Sequence, residues 1–185
     1  MFKGHHWDYF LALEDDLAKL ARYIHFSEEN LNTYSLEFAR LLMASTQEID
    51  VIFKQICAKH GDKSDKESGY RTFFSKGEFA KLRELEVSVR SYGLKFIPFK
   101  NWVSDAPEWW TANNRIKHER HTHFQNASLK NVLNAMSALL LANIYFSNEM
   151  GRLKKDIIPA KLLLPRNLIR GTAQGFTSLR FQMPQ

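Results

Sequence analysis

Between Trp109 and Phe124 the chain runs Trp-Trp-Thr-Ala-Asn-Asn-Arg-Ile-Lys-His-Glu-Arg-His-Thr-His-Phe. Nowhere else do so many groups that can hold, donate or accept a proton stand so close together. Asn113, Asn114, Lys117, His118, Arg120 and His121 are the residue types that phosphodiester chemistry uses. A neutral imidazole can take a proton from a ribose hydroxyl. Arg or Lys can then stabilise charge on the phosphorus oxygens as it develops. That scheme calls for neither a metal nor a cofactor. A second reading makes His118, His121 and His123 metal ligands, but no cysteine stands near to complete the set. A third buries His118 or His121 as a core histidine bonded across the fold and leaves Arg115 and Arg120 on the surface.

These groups need a helix to hold them. One is expected over residues 106–121, with Asp105 as its cap and Glu108 three residues on closing a capping box. At a period of about 3.6 residues, Asn114, His118 and His121 form one polar stripe, with Lys117 adjoining. Trp110 and Asn113 lie one turn earlier on nearly the same side. A helix with Trp109 and Trp110 beside a polar stripe is hard to hide in a four-helix core. A homodimer with a two-fold interface over the aromatic part is therefore expected, the polar groups lining a groove between chains. The competing arrangement packs both tryptophans under the chain's own C-terminal tail.

The remaining elements follow from apolar spacing. Phe10, Leu13, Leu17, Leu20 and Ile24 predict an amphipathic helix over 7–25, with Glu14, Asp15 and Asp16 on its wet side. Phe38, Leu41, Leu42, Ser45, Ile49, Ile52, Phe53 and Ile56 predict a longer one over 33–59, stopped by Gly61. Glu48 on that helix is a candidate partner for the basic helix over 106–121. Residues 61–69 read as a loop. A helix is expected over 76–91, although the alternation Leu85, Val87, Val89 admits a strand, and 94–99 reads as extended. Gln125-Asn126 caps a last helix over 127–150. Four long helices joined by short connections make an all-α, up-and-down four-helix bundle the expected fold over 1–150. Residues 151–185 form a second unit: an irregular basic tail, broken by Pro159, Pro165, Pro184, Gly171 and Gly175. It wraps back because Leu162-Leu163-Leu164 and Phe176 need cover.

Composition narrows the classes. An apolar fraction of 44% excludes a disordered chain. The net charge of +6 is uneven: residues 1–60 carry six basic against nine acidic side chains, and 61–185 carry twenty against eleven. Such a basic half can attract nucleic acid or acidic partners. Cys57 is alone and flanked by Phe53 and Ile56, so it reads as a core residue in a reducing, cytoplasmic compartment. Residues 1–10 do not read as a signal peptide, and 132–146 is too short and too polar to span a bilayer.

A helical bundle whose penultimate long helix carries an Arg/Asn/His motif resembles the HEPN superfamily (higher eukaryotes and prokaryotes nucleotide-binding), here over residues 7–150. Asn113-Asn114-Arg115-Ile116-Lys117-His118-Glu119-Arg120, preceded by Trp109, carries the resemblance. Two registers are open. Asn114 with His118 can stand for the family's polar residue and histidine, or Arg115 with His121 for its arginine and histidine. The resemblance implies an RNA-cleaving or RNA-binding protein of a bacterial toxin–antitoxin or phage-defence system, metal-independent and homodimeric, with an antitoxin or other protein as a further partner. His118 or His121 would be the base and Arg115 or Arg120 would hold the phosphate. Asn114 would orient the pocket, and Asn113, Lys117 and Trp110 would line the substrate path. The family also contains inactive members, so the alternative is a non-catalytic nucleotide- or partner-binding module.

Overall fold

The structure is a computed structural model that describes residues 5–151, 160–166, 169–172, 179–181 and 183, the last two strands by backbone alone. It is mainly helical: α1 (His5–Leu20), α2 (Leu36–Lys59), α3 (Glu67–Phe74), α4 (Glu108–His123) and α5 (Leu129–Glu149). Five short strands accompany them: β1 (Val87–Val89), β2 (Lys95–Phe96), β3 (Leu163–Pro165), β4 (Ile169–Thr172) and β5 (Leu179–Phe181). No helix among the described residues is long and apolar enough to cross a membrane.

α5 lies at the centre. Its residues from Val132 to Phe146 are buried on nearly every face, apart from Asn134, which is the behaviour of a helix apolar all round. It packs against α1, α2, α4 and the strands β2 and β3, with α2 as its main neighbour. Ser128, rather than Gln125 or Asn126, caps it, its hydroxyl accepting from the Asn131 amide at 3.3 Å. Asn143 sits inside the core because its side-chain amide donates to the Leu139 carbonyl at 3.0 Å. On α2 all eight stripe positions, Ser45 included, are buried. Ser45 returns its hydroxyl to Leu41 O at 2.7 Å, so no polar atom is stranded there. Ser35 caps α2 by accepting from Phe38 N at 3.1 Å.

Several expectations need correction. The segment 76–91 is no α-helix: a 3₁₀ stretch, Gly77–Glu84, leads into β1, so the Leu85, Val87, Val89 alternation was the stronger signal. The segment 61–69 is a loop only to Lys66, since α3 begins at Glu67. Its apolar side, Tyr70 and Phe74, starts just beyond the charged run that hid it. The fold is not all-α, nor is the tail irregular throughout, because β3 joins β1 and β2 in an antiparallel sheet of order β2-β1-β3 and β4 pairs with β5. Gly93, at φ +71, lets the chain reverse between β1 and β2. Leu162 and Leu163 are buried, as their need for cover required. Phe176, Pro159, Pro184 and Gly175 lie outside the described residues.

Glu14 is the sharpest departure. Helical spacing predicts it on the wet side of the first helix, yet it is 1% exposed. Its two carboxylate oxygens accept the backbone N–H groups of Lys161, Leu162 and Leu163 at 2.7, 2.9 and 2.9 Å. Lys161 Nζ adds a surface ion pair with Asp15 at 2.8 Å. The carboxylate thus does for the start of β3 what a neighbouring strand would otherwise do. A periodicity argument misses this, since it assigns every carboxylate to water. Glu48 is likewise paired, but with His6 of α1 rather than with α4.

Glu14→Ala leaves three backbone donors without an acceptor and should lower the unfolding free energy by about 2–4 kcal/mol, read by denaturant titration. Burial, the largest influence, raises the Glu14 carboxyl above its ordinary range against the opposing pull of the three donors. The folded chain therefore binds this proton more tightly than the unfolded chain does. Stability should fall as pH rises from the ordinary carboxylate range through the raised value, and should not depend on this group above it. Glu14→Gln should remove that component of the pH slope.

Candidate functional site

α4 begins at Glu108, with Pro107 in the capping position at φ −54 and ψ 146 and no side-chain cap. Asp105 instead accepts from the Ser104 hydroxyl at 2.6 Å, so the expected capping box is absent. The inner face of α4 is Trp109, Ala112, Asn113 and Ile116, at three- and four-residue steps. Trp109 is fixed at both ends of its ring system. Its indole N–H donates to the Pro98 carbonyl at 2.9 Å and its ring meets Phe99 edge-on at 5.9 Å. Trp110 meets Tyr70 of α3 edge-on at 6.3 Å. Both tryptophans are thus buried within a single chain, with α3 and the segment 98–102 among their cover. The aromatic reason for expecting a dimer is thereby weakened, because only the edge of Trp110 that lines the cleft is left exposed.

The outer face carries the groups picked out by their chemistry. Asn114, Arg115, Lys117, His118, Arg120 and His121 are all exposed. None of the histidines 118 and 121 is a core histidine, and neither is hydrogen-bonded to another described residue. The stripe they were expected to share is interrupted, since Glu119 leaves the helical region at φ −136 and ψ 40. His118 lies before that break and His121 beyond it. His123 pairs with Glu119 across the break at 3.0 Å. Arg120 turns toward α2, where a guanidinium nitrogen lies 3.7 Å from Met43 Sδ. No three His, Cys, Asp or Glu side chains converge as metal ligands among the described residues.

Beside this face is a cleft of about 730 Å³ between α2, α4 and the first turn of α3. From α4 it takes Trp110, Asn113, Asn114 and Lys117; from α2 it takes Met43, Thr46, Gln47, Asp50 and Lys54; and 65–68 close it. The structure so brings Asn113, Asn114, Lys117 and Trp110 together in one cavity, with Arg120 against its Met43 rim. Arg115, His118 and His121 are not among its lining residues. The α2 half was missed from sequence, although a signal existed. Met43, Thr46, Gln47, Asp50 and Lys54 recur at three- and four-residue steps, a second stripe opposite the apolar one.

The acidic groups of the cleft are largely engaged. Asp50 accepts from the Tyr70 hydroxyl at 2.8 Å and pairs with Lys54 at 2.6 Å. Burial first, and then this bond to Asp50, pushes the Tyr70 phenol well above its usual range, so it stays a donor. Glu67 accepts from the Trp102 indole at 2.7 Å and lies 3.5 Å from Arg71. Gly69 allows the turn at 62–64 to approach, since a Cβ there would meet Ser64 Oγ at 2.6 Å. Cys57 is buried and its thiol is pushed up to about 12 by burial first, with Asp62 adding to it, which removes it as a nucleophile.

Comparison of the chain with protein-family models, with curated proteins and with solved structures gives no match.

Two substitutions check this geometry. Tyr70→Phe should cost about 1 kcal/mol of stability, as one buried hydrogen bond is lost while Lys54 still pairs with Asp50. Gly69→Ala should forfeit the roughly 0.8–1 kcal/mol that alanine ordinarily gains over glycine inside a helix, because Ser64 must move. Thermal unfolding of both variants reads the order.

Proposed function

We propose that this chain binds RNA along α4 and cleaves it without a metal, as a HEPN-like protein whose four long helices form an up-and-down bundle. The observation that carries the reading is the outer face of α4. There His118 stands exposed with Lys117 before it and Arg120 after it, beside a polar cleft. Exposure matters because a phosphodiester strand has to reach the imidazole, and a core histidine would be out of its reach.

The chemistry follows from these groups. His118 or His121 takes the proton of a ribose 2′-hydroxyl, whose oxygen attacks the adjacent phosphorus. The bond to the 5′-oxygen of the next nucleotide breaks and that oxygen takes a proton from the imidazolium or from water, giving a 2′,3′-cyclic phosphate and a 5′-hydroxyl. Arg120 or Arg115 holds the phosphate and stabilises charge on its oxygens as attack proceeds. Asn114 and Lys117 position the strand at the cleft mouth. Of the two histidines, His118 shares an unbroken helical segment with Asn114 and Lys117, which favours it as the base. The biological setting that goes with this reading is a bacterial toxin–antitoxin or phage-defence system in the cytoplasm. A protein antitoxin is a further partner, and a homodimer brings two α4 faces to one strand.

A second reading has its own observation. Asn113 lines the cleft at 8% exposure, beside the still more buried Thr46, whose hydroxyl is spent on the Leu42 carbonyl at 2.7 Å, and a carboxamide transfers no protons. A site built around it suits recognition, as in a non-catalytic nucleotide- or partner-binding module.

Pure protein incubated with total RNA and EDTA should yield fragments ending in 2′,3′-cyclic phosphate. Their absence, with binding retained, selects the second reading. His118→Ala and Arg120→Ala should each reduce cleavage by about 10²–10⁴-fold. Both side chains are exposed, so the thermal midpoint should hardly move. Light scattering tests the dimer: a mass near 21.6 kDa at every concentration tried would remove the shared-cleft version of the mechanism.

A further inference from the structure

The cleft has a feature that phosphate chemistry alone does not call for. Asn113 lines it while being 8% exposed. One hydrogen of its side-chain amide is directed to Asn114 Oδ1 at 3.4 Å. Its own Oδ1 makes no hydrogen bond to any described residue. That oxygen is not sealed from solvent, so it faces the cleft, where a ligand can supply the donor that water otherwise gives. The second amide hydrogen is free as well, so one planar group presents an acceptor and a donor side by side.

The surroundings say which ligand. Trp110, 7% exposed, supplies an aromatic wall next to the amide, and Met43 supplies polarisable apolar surface from α2. A cleft of about 730 Å³ can hold a nucleoside with room for a phosphate. Two lysines at its edge, Lys117 and Lys66, are in no ion pair with another described residue, whereas of the three lining carboxylates Asp50 and Glu67 are already bonded within the chain and Asp65 alone is not. The cations left over thus sit at the mouth and the amide sits inside. A base would enter and its phosphates would stay out.

We propose that this cleft captures one adenine of a single-stranded RNA. Asn113 accepts from the 6-amino group through Oδ1 and donates to N7 through Nδ2, the bidentate pairing a carboxamide makes with that base. Lys117 and Lys66 take the flanking phosphates. The proposal rests on α4 being an RNA-binding face and adds what sets the register of the strand on it. At a rise of 1.5 Å per residue, His118 lies about 7.5 Å along the axis from Asn113. His118 stands outside the cleft, about 140° round the helix from Asn113, so a strand held by its adenine is fixed in register on α4 and any cleavage falls at a constant offset from that adenine.

The test compares two labelled oligomers by fluorescence anisotropy, one all uridine and one with a single central adenosine. The adenosine oligomer should bind on the order of tenfold more tightly. Replacing that adenine with purine, which lacks the 6-amino group, or with 7-deazaadenine should remove most of the preference. These changes leave the protein untouched, so no question of folding enters. Asn113→Ala should bring the ratio of affinities near unity. Lys117→Ala should weaken both oligomers in parallel and leave the ratio intact. Equal binding of the two oligomers overturns the adenine pocket but leaves the RNA reading standing. A preference that survives both the purine substitution and Asn113→Ala overturns the role of Asn113. Binding of neither oligomer overturns the pocket and the RNA reading together.

Discussion

α5 cannot offer water a polar side, and that constraint organises the molecule. From Val132 to Phe146 nearly every residue is buried, so the helix has to be enclosed rather than merely docked. α1, α2 and α4 cover most of it, and β2 and β3 contribute to the rest. The small sheet is therefore no decoration on a helical fold. Hydrophobic burial of this kind is non-directional, so it fixes which elements surround α5 but leaves their polar contacts to be settled locally. Those local settlements are Ser128, Asn143 and Ser45, each bonded to nearby backbone.

The candidate site grows out of the same requirement. α2 and α4 each give one face to the core and have a second face to spare. Where the spare faces diverge, α3 and the turn before it close the gap and leave the cleft. Tyr70 joins these roles in one side chain. Its ring lies in the aromatic cluster with Phe53 and Trp110, while its hydroxyl fixes Asp50 at the cleft wall. The position of the wall thus depends on the packing of the core, and a polar cavity of defined shape results from apolar packing.

What the sequence disclosed, and what it did not, divides along physical lines. Periodicity located the helices that bury one stripe, because such a stripe is a local property. It also placed the polar run of α4 on a helix and kept Lys117, Asn113, Asn114 and Trp110 on one side. It could not show that Glu119 breaks the helix, since nothing in that run is a helix breaker. It misread Trp109 and Trp110 as surplus aromatic surface because their cover comes from Pro98, Phe99 and Tyr70, none of them within a turn. Glu14 escaped for the same reason at longer range. A carboxylate among Asp15 and Asp16 reads as solvated until its partners, far along the chain, are known. The α2 stripe from Met43 to Lys54 was legible in principle but was overshadowed by the apolar stripe on the same helix.

Glu14 also bears on the order of events in making this protein. Its acceptors' partners lie 147 to 149 residues further along the chain. On a ribosome, α1 is complete long before Lys161, Leu162 and Leu163 emerge. Throughout that interval a carboxylate destined for the interior has only water as its partner, and the side of α1 that bears it cannot close. The final enclosure of α5 must wait for the same segment. Folding of this chain is thus tied to a late contact of long sequence separation, the type that slows assembly and leaves apolar surface open meanwhile. A nascent chain stalled before residue 160 would have its helices but not its seal.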